Sequence, residues 1–192
     1  MSYPFIYDGF LDDPDSYRAY CLSLDLNENS LQNVSYPNTR QILDSPLWEK
    51  IFELFEFSER SPVLRAVRLH PFGQKNPTWA HSDFRLSKWA AVLYLNPNDQ
   101  FKSLYGALEN GTVFLKHCRY GNRVSQPLSE QSMRDIDSDT WDDRKWTPLF
   151  SVPGLFNRLI VFPSDHFHAM QPKTGFGTLK EHARLIQAFF FN

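Results

Sequence analysis

Residues 81–96 have the sequence HSDFRLSKWAAVLYLN, in which a His-x-Asp pair precedes a continuous apolar run. The run over residues 89–95 has the length and composition of a buried strand, and the turn residues Asn96-Pro97-Asn98 end it. In an extended chain, side chains two residues apart point to the same side, so His81 and Asp83 are expected to converge. This stretch predicts a β-rich domain with a polar pair close to a central strand.

Short strands and turns surround this stretch, and helices precede it. Strands are predicted at residues 63–69, 112–116, 159–162 and 183–191. One amphipathic helix is predicted over residues 14–24, and a second follows the start signal Ser45-Pro46 and presents residues 47, 51, 54 and 55 on one face. Helices at one end of the sequence and strands after them indicate a β-sandwich or jelly roll with N-terminal helices packed on one sheet.

The composition fits one folded domain of 192 residues. With 42% hydrophobic and 22% charged residues, the chain is neither disordered nor fibrous. Twenty basic and 22 acidic residues leave no basic excess, which argues against general nucleic-acid binding and against a polybasic membrane surface. No apolar run approaches the roughly 20 residues of a membrane-spanning helix. Two distant cysteines, Cys21 and Cys118, favour a reducing cytoplasm.

Within the domain, residues 1–60 are expected to give helical support and residues 61–192 a jelly-roll core. Residues 119–152 interrupt that core as a predicted insertion, polar and without a clean period, with six acidic residues between Glu130 and Asp143. Such a segment is typical of a lid, a binding loop or a poorly ordered region. Together with residues 71–80 and 97–110 it is expected to form the entrance to a site.

A metal site is the chemistry that His81 and Asp83 indicate. They would supply two of the three ligands of a 2-His-1-carboxylate site, which holds non-haem Fe(II) with open coordination positions. The third ligand could be either His166 or His168, because both follow the short strand at residues 159–162 and lie two residues apart.

Arg184 is the other residue that calls for a partner. By strand alternation it shares a face with Ile186, Ala188 and Phe190. An arginine among apolar neighbours is costly unless an anion neutralises it. The anion would be a buried Asp or Glu, or a ligand carboxylate that the planar guanidinium grips with two hydrogen bonds.

These motifs, in this order, resemble those of the Fe(II)/2-oxoglutarate-dependent oxygenases. The similarity is to the prolyl-4-hydroxylase-like branch and covers roughly residues 64–192. The matching positions are His81-Ser82-Asp83, Tyr94-Leu95-Asn96, Asn110-Gly111-Thr112, Phe162-Pro163-Ser164 leading to His168, and Arg184. Asn110 replaces the first of two glycines in the family pattern, a change that the tolerance of Asn for positive φ would allow.

The resemblance implies one oxygenase-like domain over residues 1–192, with a double-stranded β-helix (jelly roll, cupin-like). It implies Fe(II) on His81, Asp83 and His168, with O2 as oxidant. It also implies 2-oxoglutarate as cosubstrate, its distal carboxylate on Arg184 and a hydrogen bond from Tyr94. Halogenating relatives replace the carboxylate ligand with a small residue, so Asp83 implies hydroxylation, with release of succinate and CO2.

Three matters stay open at the level of sequence. The substrate would be an amino acid, a peptidyl residue or another small metabolite. Alternative functions are a non-catalytic jelly-roll binding protein and a metal-dependent cupin-type enzyme without 2-oxoglutarate, which a buried acidic partner for Arg184 would favour. No pattern indicates a membrane partner or an oligomeric state.

Overall fold

Two antiparallel sheets form the framework of the protein. The computed structural model describes residues 4–26, 29–31, 34–42, 47–55, 57, 59–98, 110–124 and 128–192. Its strands are β1 (Phe5–Asp8), β2 (Asn29–Leu31), β3 (Val34–Tyr36), β4 (Thr39–Gln41), β5 (Pro62–His70), β6 (Trp89–Tyr94), β7 (Gly111–His117), β8 (Trp146–Pro153), β9 (Arg158–Pro163), β10 (His168–Gln171) and β11 (Arg184–Phe191). Its helices are α1 (Pro14–Ser23), α2 (Leu47–Phe55) and α3 (Glu130–Asp139), and a 3-10 turn spans Asp143–Lys145.

The larger sheet has the strand order β1-β9-β6-β11-β5-β4, and the smaller sheet has the order β10-β7-β8. All of these neighbours pair antiparallel. Phe114 and Val152 of the smaller sheet pack against Tyr94, Ile160 and Ile186 of the larger sheet in one apolar cluster. The sheets therefore face each other across a common core, as a jelly roll requires, which confirms the predicted fold class.

The outer face of the larger sheet is covered by the N-terminal helices. Residues of α1 and α2 share one buried cluster with Val67, Leu93, Leu185 and Phe189. Trp48 of α2 lies 5.2 Å from the ring centroid of Phe189 in an edge-on contact. Both predicted helices form, although the start signal at residues 45–46 lies outside the described residues. The helices hold the larger sheet rigid from behind and leave its inner face to the site.

The N-terminal part contributes more than helical support. Strands β1 and β4 lie at the two edges of the larger sheet. The residues of β1 are all exposed, so the sequence lacks the alternation that would have predicted the strand. Its pairing with β9 places it.

The structure also differs from the sequence prediction at residues 119–152. The end of this segment is β8, which pairs with β7 as a strand of the smaller sheet. Two prolines and a largely exposed pattern hide β8 in the sequence. Upstream, Ser129 caps α3 by accepting a hydrogen bond from the Ser132 amide. Ile136 of this helix then packs on the outer face of the smaller sheet. The segment is thus partly core and partly covering layer, and residues 125–127 lie outside the described part.

Within the described ranges, no helix has the length and apolar character needed to cross a lipid bilayer.

Candidate metal centre

Backbone pairing brings the two halves of the candidate site together. The His81 amide donates to the His168 carbonyl at 3.1 Å, and the His168 amide donates to the His81 carbonyl at 2.9 Å. The Asp83 amide donates to the carbonyl of Ser164 at 2.8 Å. His81 forms only this isolated bridge, so residues 81–83 are not part of a regular strand. These hydrogen bonds to the distant residues 164 and 168 fix His81 and Asp83 in place instead.

The side chains of His81, Asp83 and His168 converge. One nitrogen of each histidine and one carboxylate oxygen all lie within 4.8 Å of one another. Nε2 of His81 is 3.7 Å from Oδ1 of Asp83, and Nε2 of His168 is 3.3 Å from Oδ2. Two imidazole nitrogens and one carboxylate oxygen at these separations could hold a single divalent cation between them.

Both imidazoles are oriented by backbone carbonyls. Nδ1 of His81 lies 2.8 Å from the Trp79 carbonyl, and Nδ1 of His168 lies 3.0 Å from the His166 carbonyl. A carbonyl only accepts, so each Nδ1 carries the proton and each Nε2 keeps its lone pair for a metal.

Of the two alternatives for the third position, the structure brings His168 into the cluster. His166 points its ring elsewhere, with Nδ1 2.9 Å from Oδ1 of Asp165.

The electrostatics of the cluster keep its donor atoms available. Burial lowers the pKa of His81 to about 4, and the nearby His168 lowers it further than Asp83 raises it. Burial raises the pKa of Asp83, but its close contact with the His168 ring and the influence of His81 and Arg68 outweigh burial, so the pKa lies below its ordinary value. Near neutral pH, His81 is a neutral imidazole and Asp83 a carboxylate, the forms that bind a cation.

Arg184 lies at the start of β11 and is 2% exposed. One of its terminal nitrogens donates to the Gly111 carbonyl at 3.2 Å, while its Nε has no hydrogen-bond partner. Among the described residues, no carboxylate lies within ion-pair distance of this guanidinium. Burial lowers the pKa of Arg184 to about 10, so it remains charged at neutral pH.

Tyr94 lies beside Arg184 on the inner face of the larger sheet. Its ring centroid is 5.9 Å from the Arg184 guanidinium carbon, and its hydroxyl is 2.7 Å from that of Thr112. Burial raises the pKa of Tyr94, which keeps the phenol neutral. A neutral phenol and a hydroxyl beside a buried cation can orient a carboxylate.

The start of β7, beside Arg184, is adapted to close packing. Gly111 has φ +150°, and a Cβ there would lie 2.0 Å from the Val152 carbonyl oxygen. Asn110 is not among the described residues with positive φ, so the tolerance of Asn for positive φ is not used here. Its side-chain Nδ2 donates to the Gly154 carbonyl at 2.7 Å instead, and this bond fastens the turn to the end of β8.

Two residues close to Arg184 were not identified as site residues from the sequence. Arg68 and His70 belong to β5, and they pair with Ile186 and Arg184 of β11, respectively. Paired residues of an antiparallel sheet lie on the same face, so both side chains face the core between the sheets. The available signal was alternation: Arg68 and His70 have the same parity as Leu64 and Ala66, so all four side chains are expected on one face of β5.

A cleft adjoins the cluster on the side of α3. It is lined by His81, Phe84 and Thr78 and by Met133 and Ile136 of the helix. Part of the predicted insertion therefore forms one wall beside the candidate metal centre. Of the other segments expected at the entrance, residues 99–109 lie outside the described part.

No protein-family model matches this sequence, and no curated protein sequence matches it either. Solved structures do match. An iron-bound HygX from Streptomyces hygroscopicus aligns with a TM-score of 0.60 at 11% identity, over 97% of this chain and 80% of that chain. A prolyl-4-hydroxylase from Pseudomonas putida aligns with a TM-score of 0.54 at 15% identity, over 97% of this chain and 91% of that chain.

Further matches include HygX with nickel and 2-oxoglutarate bound, at a TM-score of 0.58 and 13% identity over 97% of this chain and 81% of that chain. The α-ketoglutarate-dependent epimerase SnoN and carbocyclase SnoK of nogalamycin biosynthesis also match. At these identities the likeness shows the fold alone: the chain has the jelly-roll fold of these solved proteins.

Proposed function

We propose that this protein is an Fe(II)- and 2-oxoglutarate-dependent dioxygenase that hydroxylates a small-molecule or peptidyl substrate. The observation that carries the proposal is one constellation. Two imidazole Nε2 atoms and the Asp83 carboxylate converge within 4.8 Å. On the inner face of the same fold, Arg184 is buried with no carboxylate in ion-pair contact among the described residues. Solved proteins of this fold carry iron, or nickel and 2-oxoglutarate.

The metal would be held by His81, Asp83 and His168. Two nitrogens and one oxygen suit Fe(II) and leave coordination positions open. The carbonyls of Trp79 and His166 fix the ring orientations, so metal binding needs little rearrangement of these rings. When bound, the iron and 2-oxoglutarate supply the oxidising chemistry with O2, and the protein supplies position, charge and exclusion of water.

Arg184 would hold the distal carboxylate of 2-oxoglutarate, since the unpartnered Nε and the free fork geometry of the guanidinium match a carboxylate. Tyr94 would add a hydrogen bond from the side, in concert with Thr112. Both roles use side chains that are already packed in place, which reduces the entropy lost on binding.

The overall reaction would convert a substrate C–H bond to C–OH. One oxygen atom of O2 enters the substrate and the other enters succinate, while the carboxyl group next to the keto carbon leaves as CO2. Proteins of similar fold also include an epimerase, SnoN, and a carbocyclase, SnoK. We choose hydroxylation over halogenation because Asp83 leaves no place for a halide in the ligand set.

Two free cysteines fit the proposed cytoplasmic location.

A cupin-type enzyme without 2-oxoglutarate is less well supported. A buried acidic partner for Arg184 would favour it, and the described residues provide none within ion-pair distance. A non-catalytic binding protein has no need for two histidines with aligned tautomers around a carboxylate.

Anaerobic titration with Fe(II) and then 2-oxoglutarate tests the proposal. The wild-type protein should develop the weak visible charge-transfer band of the chelate. Arg184→Gln should weaken 2-oxoglutarate binding about 10- to 100-fold, because a charge-assisted pair is lost. Arg40→Gln, at an exposed arginine of β4, is the matched control and should bind like the wild type. A wild-type protein without the band, or an Arg184→Gln variant with unchanged affinity, would contradict the proposal.

A further inference from the structure

Arg68 is a second cation on the inner face of the larger sheet. It pairs with Ile186, whose side chain belongs to the core between the two sheets. Arg184 is the residue two positions before Ile186 on the same strand, so the two arginines are diagonal neighbours roughly 7–8 Å apart at their backbones. The two positive charges repel each other, since Arg68 contributes to the lowered pKa of Arg184. A bound anion would relieve this repulsion.

The surroundings hold Arg68 in place without neutralising it. Its guanidinium carbon lies 4.7 Å from the ring centroid of Tyr36, in a cation–π contact. Its Nε is buried without a hydrogen-bond partner, and among the described residues Arg68 forms no ion pair. Asp83 is near enough for its charge to act on Arg68 but lies beyond ion-pair contact.

The charges of the described residues at the site do not balance without a further anion. A divalent metal and the dianion of 2-oxoglutarate cancel, and the Asp83 carboxylate offsets one of the two arginines. His70 stays neutral, because burial lowers its pKa well below its ordinary value. One positive charge therefore remains in the loaded pocket, which matches a monoanion such as a carboxylate. A phosphate monoester, with close to two negative charges, would overcompensate it.

We propose that Arg68 binds a carboxylate group of the substrate, so that the substrate is a small carboxylic acid, of which free or N-acylated amino acids are the simplest members. This rests on the proposed function, because it assigns the cosubstrate to Arg184. The division between the arginines follows their exposure: Arg184 is 2% exposed, whereas Arg68 is only partly buried. The more accessible cation suits the ligand that must enter last and leave as product.

The test compares carboxylates with their neutral amides. Protein loaded with Fe(II) and 2-oxoglutarate is titrated anaerobically with free and N-acetyl L-amino acids and with the matched carboxamides, and the visible band is followed. Ni(II)-loaded protein, which does not turn over, is titrated with the same pairs by calorimetry. At least one carboxylate should perturb the band and bind about 10-fold or more tightly than its amide. The same carboxylate should stimulate succinate formation in air.

The variants locate this preference. Arg68→Gln should remove the difference between carboxylate and amide while 2-oxoglutarate affinity stays within about threefold of wild type. Arg68→Lys should keep part of the preference, since the charge remains and the fork is lost. Arg40→Gln should behave like the wild type.

Three outcomes would overturn the assignment. If Arg68→Gln loses 2-oxoglutarate binding as Arg184→Gln does, Arg68 serves the cosubstrate. Equal affinities for carboxylates and amides, or no response to any carboxylate, would show that Arg68 forms no such subsite. Failure of the proposed function looks different, because the wild-type chelate band is then absent, whereas the calorimetric preference on Ni(II)-loaded protein still reports on Arg68.

Discussion

The choice between His166 and His168 shows how a site depends on single residues. The sequence offers two histidines at the right separation from the strand before them. In the structure His166 lies in the turn after β9, where its amide donates to the Pro163 carbonyl, and only His168 begins β10. The backbone bridge to His81 then brings the His168 ring, and not the His166 ring, to Asp83.

Removing each histidine should separate the two roles. His168→Ala should lower Fe(II) affinity more than about 100-fold, because a direct ligand is lost. Loss of a residue that only hydrogen-bonds to a metal ligand typically lowers metal affinity about 10- to 100-fold. His166→Ala should stay within about threefold, since its contribution to His168 comes from the backbone carbonyl. Anaerobic competition with a chromophoric chelator measures both affinities. A reversed order would move the third ligand to His166.

At the scale of elements, Asn157 joins the turn after β1 to the start of β9. It has φ 62°, and its side chain accepts from the Leu11 amide at 2.7 Å and donates to the Leu11 carbonyl at 2.9 Å. Its own amide donates to the Tyr94 carbonyl at 2.9 Å. Through its side chain Asn157 thus ties the N-terminal segment to the start of β9, and through its backbone amide it is joined to the end of β6.

Substitutions at Asn157 should distinguish its side-chain bonds from its backbone conformation. Asn157→Ala should lower the free energy of unfolding by about 2–4 kcal/mol, because the buried Leu11 groups lose their partner and alanine is strained at positive φ. Asn157→Gly should cost about 1 kcal/mol less, since glycine relieves only the strain. Urea unfolding measures both values. If both variants lose the same free energy of unfolding, backbone strain at positive φ contributes nothing. If neither variant loses stability, the side-chain hydrogen bonds of Asn157 do not stabilise the fold.

At the scale of the whole molecule, three apolar clusters separate the layers. One lies between the N-terminal helices and the larger sheet, one between the sheets, and one between the smaller sheet and α3. The polar site is placed at the edge of the middle cluster, where Phe114 and Phe162 pack near His168. Burial of histidines in this layer links the stability of the whole fold to pH.

The metal-free protein should lose stability as the pH falls from about 6.5 towards 4. An unfolded histidine has a pKa of about 6.5, whereas burial lowers that of His81 to about 4 and that of His70 well below its ordinary value. In this interval the unfolded chain binds protons that the folded chain does not, so stability increases with pH. The expected slope is roughly 1 kcal/mol per pH unit for each histidine.

Urea unfolding at several pH values between 5 and 7, above the range where carboxylates titrate, measures this slope. The variant His70→Gln should reduce the slope whatever its effect on absolute stability. A free energy of unfolding that is flat over this interval would contradict the neutral state of both buried histidines.

Much of the fold follows from the sequence because local patterns carry it. Five strands and two helices are predicted close to their observed positions, for example residues 183–191 against Arg184–Phe191. Among the strands that the sequence does not predict, β1 and β8 have no alternation to reveal them, since they are held by pairing with β9 and β7 rather than by a buried face of their own. Pairing between distant segments leaves no local signature.

The sequence by itself determined the donor chemistry of this protein: a His-x-Asp pair, a later histidine and an arginine in an apolar strand. Only the tertiary structure decided which histidine joins the pair, that Arg184 has no acidic partner among the described residues, and that Arg68 lies on the same inner face of the larger sheet as Arg184. The physical reason is that residue types and periodicity are local properties. Convergence depends on strand register and on hydrogen bonds between segments up to about a hundred residues apart.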